Sequence, residues 1–130
     1  MPQTADVVVI GAGVIGCSIA YHLVERGVRR VAVVEKGFVA SGATGRSSAC
    51  IRQHYSTPET CRMVLRSLRF FETFGERTGG RPASFVRCGY LLGVDERTRT
   101  PMEASVALQQ SVGIATRMVT PEEKIGRAHV

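Results

Sequence analysis

At 130 residues the chain has the length of one domain and can bury a core of its own. A hydrophobic fraction of 44% with a mean hydropathy of +0.04 excludes a disordered polypeptide. The net charge of +6 is scattered from Arg26 to Arg127 without a block of like charges and with few aromatics, which argues against nucleic acid as a partner.

The first element is DVVVI (6–10), a continuous β-branched run that predicts a central parallel strand buried on both faces. GAGVIG follows, then CSIAYHLVERG, where Ile15, Ile19, Leu23 and Val24 recur at helical spacing and Gly27 provides a stop. RVAVVEK (30–36) predicts a second buried strand, completing a βαβ unit. The apolar start lacks a basic leader, is broken by glycines and is too short to span a bilayer, so a cytoplasmic protein without a membrane span is expected.

SGATGRSSACIRQH (41–54) then carries glycine, serine, threonine, two arginines and a histidine. Beyond it, Thr57 as N-cap and Pro58 in the first turn predict a long helix ending near Gly79-Gly80. Its arginines Arg62, Arg66 and Arg69 share a solvated face, and Val64, Leu68 and Phe71 share another. FVRCGYLLGV (85–94) alternates and predicts a half-buried strand. RTPMEASVALQQSVGI predicts a helix and TRMV a short strand, and TPEE (120–123) has the form of a helix start. Cys17, Cys50, Cys61 and Cys88 form no C-x-x-C pair and meet no histidine cluster, so four buried, reduced thiols are expected and no metal site.

The last six residues, IGRAHV, are what ATCGGAAGAGCACACGTC encodes, a string that looks like a widely used sequencing adapter. Residues 125–130 are therefore expected to be a scar, and the natural contribution to end near Lys124 as an N-terminal fragment.

Gly11-x-Gly13-x-x-Gly16 stands between a strand and a helix, where a dinucleotide fingerprint belongs. Gly11 suits the tight turn, Gly13 the approach of a pyrophosphate to the backbone, and Gly16 close packing of helix on sheet. The helix N-terminus attracts the phosphates. Glu35, at the end of the second strand, is placed for ribose hydroxyls and against a 2′-phosphate. The motif alone leaves NAD and FAD open. The loop of about twenty residues after Glu35 and Lys36 favours FAD, because a structureless loop of that length is uncommon unless functional.

With VVVIGAGVIGCSIAYHL, VVEKGFVASGATGRSSACIRQHYS, RTGGRPASFVRCGYLLGV and VGIATRMVTPEE, the chain resembles the glycine/D-amino-acid oxidase superfamily of FAD-dependent amine oxidoreductases, notably the β subunits of sarcosine oxidase and dye-linked proline dehydrogenase. The resemblance implies a truncated α/β, FAD-binding Rossmann-like βαβ unit over residues 1–80, the start of an α+β substrate domain over 81–124, and the scar at 125–130. It implies FAD contacts from Gly11, Gly13, Val14, Ile15 and Gly16, with Glu35 and Lys36 at the adenosine and Ser41, Thr44, Arg46, Ser47 and Ser48 along the path to the flavin. Arg52 and His54 match positions near the flavin ring, although Arg52 reads equally as a carboxylate's partner and His54 as a packed structural histidine. Cys50 is expected to pack, and Tyr90 to face the substrate pocket.

The implied activity is oxidation of the carbon–nitrogen bond of a small amine or amino acid (sarcosine, glycine, proline or D-amino-acid type) by hydride transfer to flavin. Additional subunits are implied for the full-length enzyme, and inactivity for the fragment alone. An NAD-dependent dehydrogenase and a non-catalytic nucleotide-binding module are the alternatives.

Overall fold

The computed structural model describes residues 4–123, so the expected scar at 125–130 lies outside the described residues. The chain divides between Cys50 and Ile51 into two compact units.

In the first unit, β1 (Val7–Ile10) and β2 (Val31–Val34) are joined by the helix α1 (Val14–Glu25). The strands pair in parallel, Val7 opposite Val31 through Ile10 opposite Val34, which is the predicted βαβ unit. α1 ends at Arg26, and Gly27 follows at φ +91°, a conformation that costs a residue without Cβ little. An ion pair between Arg30 and Asp6 closes the far end of the strand pair.

Two expectations fail here, the burial of both strands (Val33 and Val34 of β2 are exposed as well) and the packed face of α1. β1 is not buried on both faces: Val9 is in the core, but Val8 and Ile10 are 56% and 88% exposed. The reason is that the sheet has only two strands and one covering helix among the described residues. Of the apolar repeat of α1, only Leu23 lies on its packed face. Ile15, Ile19 and Val24 are exposed, whereas Gly16, Ala20 and Leu23, spaced for one helical face, are half-buried.

In the second unit, α2 (Pro58–Glu72) starts as predicted, with Thr57 Oγ1 accepting the Thr60 amide and Pro58 in the first turn. Arg62, Arg66 and Arg69 are exposed, and Val64, Leu68 and Phe71 half-buried. A single turn, α3 (Phe74–Arg77), carries the chain to Gly79 and Gly80, both at positive φ. α4 (Glu96–Ser111) begins earlier than its apolar pattern suggests. Asp95 and Thr98 form a reciprocal capping box, with Thr98 N donating to Asp95 Oδ1 at 2.9 Å and Asp95 N to Thr98 Oγ1 at 3.2 Å, so Pro101 falls inside the helix. The core of this unit gathers Cys61, Val106, Gln109 and Ile114.

FVRCGYLLGV and TRMV are not strands. Alternation makes a strand only where a neighbour supplies a hydrogen-bond ladder, and none is present among the described residues. Gly89 at φ +76° also interrupts the extended run, which is held instead by Arg87 Nε donating to Glu72 at 2.6 Å and by Phe85 beside Phe71. TPEE behaves as expected: Thr120 N donates to Glu123 Oε2, and Glu123 N donates to Thr120 Oγ1. All four cysteines are free, but only Cys61 is buried; Cys17, Cys50 and Cys88 are exposed, because nothing described packs over them.

Candidate functional site

The chemistry of the first unit converges on the turn between β1 and α1. Gly11 adopts φ +102°, and its amide donates to Val34 O at 2.7 Å, which ties the turn to the end of β2. A Cβ on Gly16 would stand 1.9 Å from the Gly11 carbonyl oxygen and 3.4 Å from Val9 Cγ1. Only glycine lets α1 approach this closely, as its spacing predicts.

α1 opens with Gly13 as an extended N-cap that has no side chain of its own to offer, and its first turn contains no acid. The amides of Gly13, Ile15 and Gly16 have no hydrogen-bond partner among the described residues. Donors at the positive end of a helix dipole, with no carboxylate competing, suit an anion.

Glu35 lies at the end of β2 and turns back onto the glycine turn. Oε2 accepts the Ala12 amide at 3.0 Å and Oε1 the Gly37 amide at 2.9 Å. The Ala12 bond, then the Gly37 bond, holds the carboxyl below the ordinary glutamate range. A carboxylate offers about four acceptor positions, so positions for hydroxyl donors remain on both oxygens. Lys36 is exposed beside it.

The loop after Gly37 folds against the same turn. Ala40, at φ +64°, donates its amide to Ala12 O at 3.0 Å, and Gly45 N donates to Ala40 O at 2.9 Å. A Cβ on Gly45 would lie 2.5 Å from that Ala40 oxygen. A 3-10 turn (Thr44–Arg46) then brings Thr44 Oγ1 to the Val14 amide at 3.0 Å. Thr44 thus caps α1 from a loop thirty positions on, and its hydroxyl hydrogen remains available to a ligand. A Cβ on Gly13 would reach the same Oγ1 at 3.0 Å.

The site residues expected from sequence therefore fall into two groups. Gly11, Gly13, Val14, Ile15, Gly16, Glu35 and Thr44 converge on one turn, with Ser41 in the adjoining loop. Arg46 is exposed, with Nε donating to Gly42 O at 3.3 Å, Ser47 Oγ accepts the Ala49 amide, and Ser48 is exposed. Ala12 and Ala40 belong with the turn but were missed, because a backbone donor or acceptor leaves no trace in residue type. A depression of 440 Å³ in this unit lies elsewhere, between Ala20, Tyr21, Val24, Glu25, Val31 and Val33, and carries none of this chemistry.

Arg52 and His54 belong to the second unit. The Arg52 guanidinium lies 5.4 Å from the centre of the Tyr55 ring, and hydrogen bonding to the Tyr55 and Tyr90 side chains raises its pKa further. It has no carboxylate partner among the described residues. His54 Nδ1 is 2.9 Å from the buried Gln109 side chain. No cluster able to hold a metal occurs among the described residues, and none of their helices is long and apolar enough to cross a membrane.

A parallel βαβ unit with three turn glycines, open helix amides and an acid closing β2 defines a dinucleotide-binding protein. The FAD dependent oxidoreductase (DAO) family profile matches residues 6–129, and the chain belongs to that family. The cofactor is accordingly FAD, which decides between the two dinucleotides the glycine motif leaves open.

The chain is 36% identical to FAD-dependent oxidoreductase domain-containing protein 1 of Xenopus laevis, over 94% of this chain and 26% of that protein. It is 27% identical to sarcosine oxidase subunit beta of Rhodobacter capsulatus, over 91% of this chain and 29% of that protein. Among solved structures, L-proline dehydrogenase from P. horikoshii superposes with a TM-score of 0.87 at 34% identity, covering 97% of this chain and 33% of its own. The chain thus spans roughly a quarter to a third of the length of these relatives.

Proposed function

We propose that this chain supplies the FAD-binding turn and cofactor loop of an enzyme that oxidises the carbon–nitrogen bond of a small amine or amino acid. The observation that carries this reading is the convergence of Glu35, Thr44 and the open amides of α1 on one glycine turn. That donor and acceptor set fits FAD: amides without a competing acid for the pyrophosphate, and a carboxylate with spare acceptor positions for the ribose. Two of the similar proteins, sarcosine oxidase subunit beta and L-proline dehydrogenase, carry small amino acids in their names, which supports the same substrate class here.

Bound flavin would accept the hydride equivalent from the carbon next to nitrogen. The residues of this chain hold the cofactor in place: Glu35 orients the adenosine end, Thr44 keeps the loop on the helix N-terminus, and Gly16 keeps the helix on the turn. Arg52 and His54 are assigned to the flavin end, where a positive charge and a hydrogen-bond donor favour the reduced ring. Further subunits are part of the proposal, since one similar protein is itself a subunit.

The test is anaerobic mixing of the full-length FAD-loaded protein with sarcosine, glycine, proline and D-amino acids while the oxidised-flavin absorbance is followed. Bleaching by one or more of them is expected. A flavin that none of them reduces, but that dithionite does, would count against this substrate class.

A further inference from the structure

Gln109 is 1% exposed, in the last turn of α4, and its amide nitrogen is shared by two acceptors. Nε2 lies 3.0 Å from the Tyr55 carbonyl oxygen and 2.9 Å from His54 Nδ1. The Tyr55 carbonyl can only accept, so the amide must present its nitrogen there and not its oxygen. That NH2 group has two hydrogens and acts only as a donor. Its second hydrogen therefore points to Nδ1, which must offer a lone pair, and the imidazole proton sits on Nε2.

The surrounding segment has little freedom to rearrange. Cys61, fully buried, donates Sγ–H to the same Tyr55 carbonyl at 3.5 Å, and Arg52 lies over the Tyr55 ring. Breaking the Gln109 contacts would leave a buried amide unsatisfied, a loss larger than the net worth of the bonds themselves.

We propose that Gln109 is a positioning residue that fixes His54 as its Nε2–H tautomer, so that the free edge of the ring is a hydrogen-bond donor and not a base. This deepens the proposed function and rests on it for one point only, that His54 serves the flavin end of the site. In that role His54 donates a hydrogen bond to the reduced cofactor, and removal of a substrate proton falls to another group.

The experiment is nitrogen-detected NMR of the full-length protein containing nitrogen-labelled histidine, with His54 assigned by its loss in His54→Asn. The wild type is expected to show protonated Nε2 and unprotonated Nδ1. Gln109→Glu replaces the donor by an acceptor and is expected to move the proton to Nδ1. Gln109→Met keeps the volume without a donor and is expected to release a mixture of tautomers.

A wild-type His54 protonated at Nδ1 overturns the proposal without need of any variant, as does a pattern indifferent to both substitutions. Titration of FAD into the apoprotein tests the placement separately. If the Nε2 resonance does not move, the flavin-side role of His54 falls, whereas the tautomer pattern alone decides the role of Gln109.

Discussion

The Glu35 carboxylate accepts the Ala12 amide at 3.0 Å, which joins the acid at the end of β2 to the turn at the end of β1. One side chain therefore shapes the glycine turn and, in the proposed function, also holds the ribose. Glu35→Gln keeps the shape but places an amide group, with one oxygen, against two backbone donors. FAD affinity should fall by about ten-fold or more, read by flavin-fluorescence titration of the full-length protein.

The same bonds set a pH dependence. Because folding lowers the Glu35 pKa, its contribution is fully present above the unfolded glutamate value and is lost as pH falls through the lower folded value. Wild type should thus lose stability on the acid side of the ordinary glutamate range, and Glu35→Gln should lose less there. Urea midpoints across that range would measure the difference, and parallel profiles would contradict the assignment.

Gly16 and Gly42 make a matched pair. A Cβ on Gly16 meets the Gly11 backbone oxygen at 1.9 Å, while one on Gly42 meets nothing within 4 Å. Gly16→Ala must push α1 off the turn, at a cost of about 2 kcal/mol or more, and should abolish FAD retention. Gly42→Ala should change stability by no more than about 0.5 kcal/mol and leave the protein yellow.

Thr44 caps α1 across the loop. Thr44→Val preserves the volume and removes the acceptor, and should cost about 1 kcal/mol together with weaker FAD binding. Thr44→Ser should restore both. Equal behaviour of the two variants would show that the hydroxyl has no such role.

Val8, Ile10, Ile15 and Phe38 are exposed in the first unit, and among the described residues β1 and β2 pair only with each other. Expressed as these 130 residues alone, the chain should aggregate and hold FAD poorly. Light scattering and flavin absorbance after gel filtration give the outcome, and a yellow monomer would refute it.

Much of the first unit was legible because its signals are local. Three glycines at fixed spacing between a β-branched run and a helix specify the turn, and Thr57 and Pro58 specify the start of α2 within four residues. The 85–94 segment misled for the opposite reason. Its alternation describes what a strand would bury, while the existence of a strand depends on a distant partner, and Arg87 is bonded to Glu72 instead. Of the apolar repeat on α1, Ile15, Ile19 and Val24 are likewise exposed, whereas Leu23 is half-buried together with Gly16 and Ala20.

By itself the sequence determined the βαβ unit, the three glycines and an acid closing β2, since each follows from the conformational preferences of neighbouring residues. Tertiary structure alone decided where that acid spends its lone pairs, that Thr44 caps a helix thirty residues before it, and that Gln109 reaches His54 across 55 positions. Such contacts join groups far apart in the chain, and a side chain's spacing carries no record of the backbone amide or ring nitrogen it will meet after packing.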